Sequence, residues 1–272
     1  MTMKLLRNRS LTWKQLLLGL VSILVVAAIV WEFVEASRYS DAVLQVEKAG
    51  GYVYFEDRWL EPWIGGKPRR VAFTDWETKD LSSVEGVACI KILRVDSPFV
   101  SDLSPLSVLG QIESLTLERV NDDDLSPLAG LRTLRWLYLS DMPLKDLSPL
   151  SELTNLEGLI LQRTSVEDLT PIQGMRNLSA LNLGGTSVQD LTILAGLMEL
   201  TWLDVGDTSV QDLTPLAGLT ELTWLDIRNT QVTDISPLLG LQHLEVLILG
   251  ELDLSDEQIQ SLVEALPNCQ IN

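Results

Sequence analysis

Residues 200–216 read LTWLDVGDTSVQDLTPL, and most of the chain is a set of variations on this segment. Its second half, Asp-Leu-Ser/Thr-Pro-Leu, recurs with small changes, beginning at Asp102, Asp124, Asp146, Asp168, Asp190, Asp212 and Asp234. The spacing is 22 residues in every interval, with no insertion. One period upstream, a degenerate copy begins at Asp80. A fixed period of this length predicts a stack of like units, each contacting its neighbours along one axis.

The structure of one unit can be predicted from its own residues. In residues 224–228, WLDIR, Leu225 and Ile227 alternate with polar or aromatic residues, a period of two that predicts a short strand with one buried face. Downstream, Ser236 is the expected N-cap and Pro237 the expected first residue of a short helical turn. One strand and one turn cannot bury their own leucines, so neighbouring units must pair their strands in parallel to form a core.

The pattern Leu-x-x-Leu-x-Leu-x-x-Thr, followed by D-[LI]-[ST]-P-L, resembles the internalin class of bacterial leucine-rich repeat proteins over residues 68–271. The predicted fold class is therefore α/β: a right-handed leucine-rich repeat solenoid of roughly nine coils. Its parallel β-sheet would form the concave face, with short helical or 3₁₀ turns on the convex side. The resemblance implies protein recognition through the concave face, but a shared fold does not fix a function.

The sequence departs from the family at the asparagine that forms a ladder between repeats. The replacing residues are Thr164, Thr186, Thr208 and Thr230, and elsewhere Val120, Met142 and Leu252. Threonine bonds neighbouring backbone more weakly than asparagine, so part of the polar ladder should be replaced by apolar packing.

The chain divides into five predicted segments: a basic tail (1–14), a transmembrane helix (15–34), a juxtamembrane helix and N-terminal cap (35–67), the repeats (68–251) and a C-terminal capping repeat (252–272). In the N-terminal cap, 37–49 should be helical, 52–55 a strand, and Trp59, Trp63 and Trp76 should cover the first coil. At the C-terminus, Ser255 and Gln258 form a predicted capping box ahead of a helix of about ten residues.

Residues 15–31 contain no charge, and Trp13 and Trp31 bracket them. At 1.5 Å per residue this span is about 27 Å, close to the hydrocarbon thickness of a bilayer. All four charges before the span are basic, which predicts a single-pass helix in the cell membrane with the N-terminus in the cytoplasm. The alternative is a signal peptide cleaved after Ala36. Both interpretations place the repeats outside the cytoplasm.

Composition excludes several classes of function. The 272 residues carry a net charge of −18, which disfavours nucleic acid because affinity there comes from lysine and arginine on phosphates. A single histidine, His243, excludes a histidine metal cluster and is expected in a surface loop. Cys89 and Cys269 lie too many coils apart to pair. No nucleophile–base pair or phosphate loop can be recognised, so neither an enzyme nor a cofactor is predicted.

The candidate binding residues lie on the predicted concave face, all but Arg228 in two columns from which leucine is absent. They are Trp136, Tyr138, Asn182, Trp202, Asp204, Trp224, Asp226 and Arg228. Tryptophans dominate interface energetics. Asp204 and Asp226, expected to be solvent-facing on adjacent strands, suggest a cationic or hydrogen-bonding ligand, although Arg228 could relieve their repulsion.

Three functions remain open at this point. The first is protein or peptide binding through the concave face, the second is glycan binding in the cell envelope, and the third is a structural spacer whose tryptophans only cover a sheet. A metal bound by the repeated aspartates is disfavoured, because an aspartate before a Ser-Pro or Thr-Pro turn usually accepts backbone hydrogen bonds in its own turn. One carboxylate per coil also lacks the several oxygens that Ca²⁺ requires.

Overall fold

The computed structural model describes residues 41–55, 68–74 and 77–272. Their strands form one sheet of 11 strands, in which sequence neighbours are spatial neighbours. The strands are β1 (Gly51–Phe55), β2 (Pro68–Phe73), β3 (Ile92–Asp96), β4 (Ser114–Glu118), β5 (Trp136–Ser140), β6 (Gly158–Ile160), β7 (Ala180–Asn182), β8 (Trp202–Asp204), β9 (Trp224–Asp226), β10 (Val246–Ile248) and β11 (Gln270–Ile271). Strands β2 to β11 pair in parallel, and β1 pairs antiparallel with β2. The predicted parallel stack is confirmed.

From β2 to β9, each coil returns to the next strand through a 3₁₀ helix. The 3₁₀ helices span Ser82–Val87, Ser104–Val108, Ser126–Leu128, Ser148–Leu150, Thr170–Ile172, Thr192–Gly196, Thr214–Leu216 and Ser236–Gly240. The predicted unit of one strand and one short turn is confirmed.

The turn is capped differently from the prediction. Ser236 is the first residue of its 3₁₀ helix rather than the N-cap, and the Asp234 carboxylate accepts the Ser236 N–H at 2.9 Å. The same aspartate-to-backbone bond, over a separation of two residues, recurs in the seven coils before it, from Asp80 to Asp212. The repeated aspartates therefore cap their own turns, as expected from their position before each Ser-Pro or Thr-Pro turn.

The core is a continuous column of side chains along the stack. Leu203, Leu225 and Leu247 occupy one register on adjacent strands, and all three are fully buried. Leucines from the 3₁₀ helices, such as Leu216 and Leu238, close the other side. No single coil encloses this core, so burial and stability depend on the neighbouring coils.

The threonines at the ladder position bond within their own coil. Their hydroxyls donate to the carbonyl three residues earlier, at 2.6–2.8 Å, in Thr164, Thr186, Thr208 and Thr230. Next to this position, the link to the preceding coil is a backbone bond, for example Ser187 N–H to the Val166 carbonyl at 2.9 Å. Val120 and Met142 are buried at the same position, which agrees with the expected gain of apolar packing.

Non-repeating elements close both ends of the described stack. Residues 41–48 are helical (α1), Gly50 turns the chain with φ of 81°, and β1 follows as predicted. At the other end, α2 (Asp256–Ala265) begins at the predicted capping box, in which Ser255 and Gln258 bond each other's backbone N–H. The strand β11 then pairs with β10.

Several predictions fall outside the described residues. They are the basic tail, the transmembrane helix 15–34, the possible cleavage after Ala36, and the packing of Trp59, Trp63 and Trp76. Within the described ranges, no helix has both the length and the apolarity needed to cross a membrane.

Candidate functional site: the concave sheet face

We call the sheet face that points away from the leucine core the concave face. Its central feature is a pair of stacked indoles, since Trp202 of β8 lies in register with Trp224 of β9. The ring centroids are 4.4 Å apart and the planes differ by 11°. Both side chains are half-buried, so the pair presents a rigid aromatic surface to solvent.

A second aromatic group lies three strands away. Trp136 and Tyr138 of β5 have centroids 6.4 Å apart, with an interplanar angle of 18°. The Trp136 ring covers Gly158 of the next strand, where an added Cβ would meet Cε3 at 2.1 Å. Gly158 therefore provides the space that the indole occupies, a role that the sequence analysis did not assign to it.

The polar candidates are less exposed than expected. Asn182, Asp204 and Asp226 lie in register on β7, β8 and β9. Their exposed fractions are 8%, 7% and 0%, so the expectation that this column faces solvent is wrong. Period-two alternation predicts that these side chains point away from the leucine core, but it does not predict how deeply they are buried.

Each of these side chains accepts a backbone hydrogen bond just beyond its strand. The oxygens of Asn182 and Asp204 accept the N–H of Gly184 and Gly206, at 2.8 Å and 2.9 Å. Asp226 accepts the N–H of Arg228 at 3.0 Å. The three residues therefore fix the turn after each strand, in addition to any contact with a ligand.

Arg228 is the basic partner of this column. Its Nε lies 3.1 Å from Oδ2 of Asp226, and its guanidinium remains exposed. The arginine side chain lies between Gly206 and Gly250, where added Cβ atoms would meet its Cγ at 3.3 Å and its Cβ at 2.6 Å. The suggestion that Arg228 relieves the charge of the aspartates is confirmed for Asp226.

Burial raises the pKa of both carboxyls. For Asp204, desolvation is the main cause and the Asp226 charge on the adjacent strand adds to it, while the Gly206 N–H, Arg228 and Asn182 oppose it. For Asp226, desolvation again dominates, and the backbone and side chain of Arg228 oppose it. The site therefore holds two carboxylates whose charged form is disfavoured by their surroundings.

The edge of the sheet carries a second set of polar contacts. Beyond the strand ends, Arg119 and Arg163 adopt left-handed backbone conformations and pair with Asp96 and Asp141 of the preceding coil. The guanidinium–carboxylate distances are 2.6 Å in both pairs. These ladders were not anticipated, because they depend on a backbone turn that the repeat pattern does not specify.

The remaining singled-out residues are one histidine and two cysteines. His243 is exposed in a loop, with Nδ1 3.0 Å from the Thr220 carbonyl oxygen. Cys89 and Cys269 are both unpaired thiols. Within the described ranges, no group of three His, Cys, Asp or Glu side chains is arranged to hold a metal ion.

Comparison with solved structures gives relatives of the same architecture. An internalin from Listeria monocytogenes is 28% identical, with a TM-score of 0.60 over 71% of this chain and 63% of that one. Internalin C2 from the same organism is 30% identical, with a TM-score of 0.60 over 70% of this chain and 83% of that one. A leucine-rich repeat protein from Leptospira interrogans shares the fold at 19% identity, with a TM-score of 0.59 over 72% of this chain and 57% of that one.

The chain thus spans less than two thirds of the first and third of these structures. No protein-family model and no curated protein sequence matches it. The match to internalin C2 covers most of both chains, and the 22-residue period, the aspartate-capped turns and the parallel sheet all lie inside the repeats. The chain belongs to the internalin-like family of leucine-rich repeat proteins.

Proposed function

We propose that this chain is a membrane-anchored leucine-rich repeat protein that binds another protein through its concave face. The observation that carries the proposal is the stacked pair Trp202–Trp224, which stands half-exposed on that face. No catalytic role is part of the proposal.

The tryptophan pair suits a protein interface energetically. A tryptophan side chain buries roughly 150–250 Å² when fully covered, and such residues supply much of the energy of protein interfaces. Because the two indoles already stack on each other, a partner loses little energy in ordering them. Trp136 and Tyr138 extend the aromatic surface along the stack.

Glycan binding is the alternative, since an exposed indole can also stack on a sugar ring. A sugar would in addition need acceptors and donors for its hydroxyl groups. Two of the polar candidates on the same face, Asn182 and Asp204, already accept backbone N–H groups and are nearly buried. This arrangement favours a protein partner over a glycan, and over a structural spacer that would have no need of exposed tryptophans.

The proposed anchor is the uncharged segment within residues 15–34, with basic residues only on its N-terminal side. In this arrangement the repeats lie outside the cytoplasm, where a partner on a cell surface or in the envelope can reach the concave face.

The test uses the full chain, purified in a non-ionic detergent, as bait for extracellular and envelope proteins. Trp202→Ala combined with Trp224→Ala should remove the captured partner. Met198→Ala is the matched control, because Met198 is an apolar side chain that is 50% exposed and lies outside the sheet. Circular dichroism must first show that each variant folds. Identical captures by the wild type and the double variant would refute concave-face binding, and a polysaccharide that quenches tryptophan emission would favour the glycan alternative.

A further inference from the structure

One face of the stacked tryptophan pair is turned towards β7. Ala180 of β7 lies in register with Trp202 of β8, which lies in register with Trp224 of β9. Side chains in one register of a parallel sheet point the same way, so rings with centroids 4.4 Å apart stack along the direction from strand to strand. The face of Trp202 that does not contact Trp224 is therefore the face towards Ala180.

The two flanks of the pair differ in what stands beside them. On the β10 side, the next residue in register is Val246, whose branched side chain stands beside Trp224. On the β7 side, Ala180 supplies only a methyl group at this position, and both Ala180 and Trp202 are half-buried. A methyl group is too small to cover an indole face, so above it the face of Trp202 is open to a partner.

Trp136 bounds the space on the far side of Ala180. Its indole lies where a Cβ of Gly158 would stand, with Cε3 2.1 Å from that point, and Gly158 is in register with Ala180 on the adjacent strand. Two strand spacings of about 4.8 Å then separate the Trp136 ring from Trp202, which is roughly 9–10 Å. We call the space between these two rings, above the methyl group of Ala180, the Ala180 gap.

The width of the Ala180 gap matches one flat ring. Carbon atoms in contact are about 3.5–4.0 Å apart, so a ring with a neighbour on each side takes up roughly 7–8 Å. Two inserted rings would need more than about 10 Å. One ring above Ala180 would continue the stack at the spacing that already holds between Trp202 and Trp224.

The side chains around the Ala180 gap favour an uncharged ring. The next outward-facing residues along β6 and β7 are Ile160 and Asn182, and neither carries a charge. The carbonyl oxygen of the Asn182 side chain is already occupied by the Gly184 N–H at 2.8 Å. An aromatic side chain matches this neutral, mostly apolar lining, and aromatic pairs gain energy beyond the area that they bury.

We propose that the protein partner of the concave face inserts one aromatic side chain, of phenylalanine, tyrosine or tryptophan, into the Ala180 gap and stacks it on Trp202. The inserted ring, Trp202 and Trp224 then form one stack of three, with Trp136 on its far side. The inference rests on the proposed function, and it specifies the chemistry of the partner at the same face.

The experiment titrates the full chain, in detergent, with two small probes observed by fluorine NMR. One probe is the amide of N-acetyl-para-fluorophenylalanine, and the other is the amide of N-acetyl-trifluoroleucine, whose side chain is branched and aliphatic. Detergent without protein is the blank. The aromatic probe should bind about two- to tenfold more tightly, the gain expected for one aromatic pair. Its resonance should move upfield, because a ring stacked on an indole lies in the shielding region of that indole.

Variants of Ala180 locate the contact. Ala180→Leu places a branched side chain against Trp202 and should weaken binding of the aromatic probe about tenfold. Ala180→Ser changes the same residue without filling the gap, so it should bind as the wild type does. Ser114→Leu is the matched control, because Ser114 is in register with Trp136 on the side away from Gly158.

A second variant makes the test independent of how Ala180→Leu folds. Trp202→Ala removes the stacking face itself and should lose the upfield shift and the preference for the aromatic probe. Circular dichroism checks the fold of each variant before titration.

The outcomes separate this inference from the proposed function. Equal binding of the two probes, or unchanged binding of the aromatic probe in Ala180→Leu and Trp202→Ala, overturns the insertion of an aromatic side chain. If Ala180→Leu then still captures a protein partner that the Trp202 and Trp224 double variant loses, concave-face binding stands with a different contact. If none of these substitutions changes the captured partner, both proposals fail.

Discussion

The contact between Trp136 and Gly158 allows a quantitative prediction. In Gly158→Ala, the new Cβ would stand 2.1 Å from Cε3 of Trp136. Carbon atoms in contact are separated by about 3.5–4.0 Å, so the indole must move by roughly 1.5 Å or more. The displaced ring loses its packing on β6 and changes its arrangement with Tyr138.

The size of the effect follows from the area that the ring covers. A tryptophan side chain buries roughly 150–250 Å² when fully covered, and Trp136 is half-buried. Loss of about 100 Å² at about 25 cal/mol per Å² costs ~2.5 kcal/mol. Alanine in a strand recovers about 0.5–1 kcal/mol relative to glycine. The free energy of unfolding should therefore fall by about 1.5–2 kcal/mol, and the emission of Trp136 should shift to the red.

The assay is urea denaturation of the full chain in detergent, followed by circular dichroism and tryptophan emission. The same substitution in a Trp136→Ala background removes the clash, so there it should be neutral or stabilising by ~0.5 kcal/mol. Equal losses in both backgrounds, or an unchanged midpoint in the single variant, would refute the argument that Gly158 exists to seat the indole.

Three further predictions concern charge, the C-terminal cap and the membrane. Burial raises the pKa of Asp204, so the folded state binds its proton more tightly than the unfolded chain, and the contribution of Asp204 to stability falls as the pH rises through that raised pKa. The variant Asp204→Asn should therefore gain stability relative to wild type as the pH rises. A difference in unfolding midpoint that stays constant between pH 4 and 8 would contradict this. Ser255→Ala removes the capping box of α2 and should cost about 0.5–2 kcal/mol in urea denaturation, whereas Ser261→Ala, on the exposed side of the same helix, should cost less. Finally, the chain should resist extraction from membranes by alkaline carbonate and be released by detergent, and its intact mass should include residues 1–36. Release by carbonate, or a mass corresponding to a chain that begins at residue 37, would contradict the anchor.

The repeat architecture could be predicted in detail because every coil repeats the same short sequence signals. The alternation of Leu225 and Ile227, the aspartate before each turn and the Ser255 capping box each specify structure over a few residues. The 22-residue period then fixes the register of neighbouring strands without further information. The unpredicted cap, Asp234 instead of Ser236, is a choice between two polar residues, two positions apart, that both favour turns.

The site was predicted only in part, because its properties arise between coils. Alternation places Trp202 and Asp204 on the concave face but does not indicate what covers them. The burial of Asp204 and Asp226 depends on the flanking side chains and on glycines that bring the turns close. The packing of the Trp136 ring depends on Gly158, one period later. This glycine is visible in the sequence once the repeats are aligned in columns.

The order of the strands has a mechanical consequence. Each coil contacts its two neighbours along the stack, through backbone bonds and through hydroxyl bonds such as Thr223 to the Thr201 carbonyl, while the aspartate caps bond within their own coil. A tension applied between the two ends of the repeats would therefore be opposed by one coil boundary at a time, and coils would detach in sequence rather than together. Each detached coil of 22 residues releases about 75 Å of extended chain. Under load, such a stack would lengthen in discrete steps while the remaining coils kept their sheet intact.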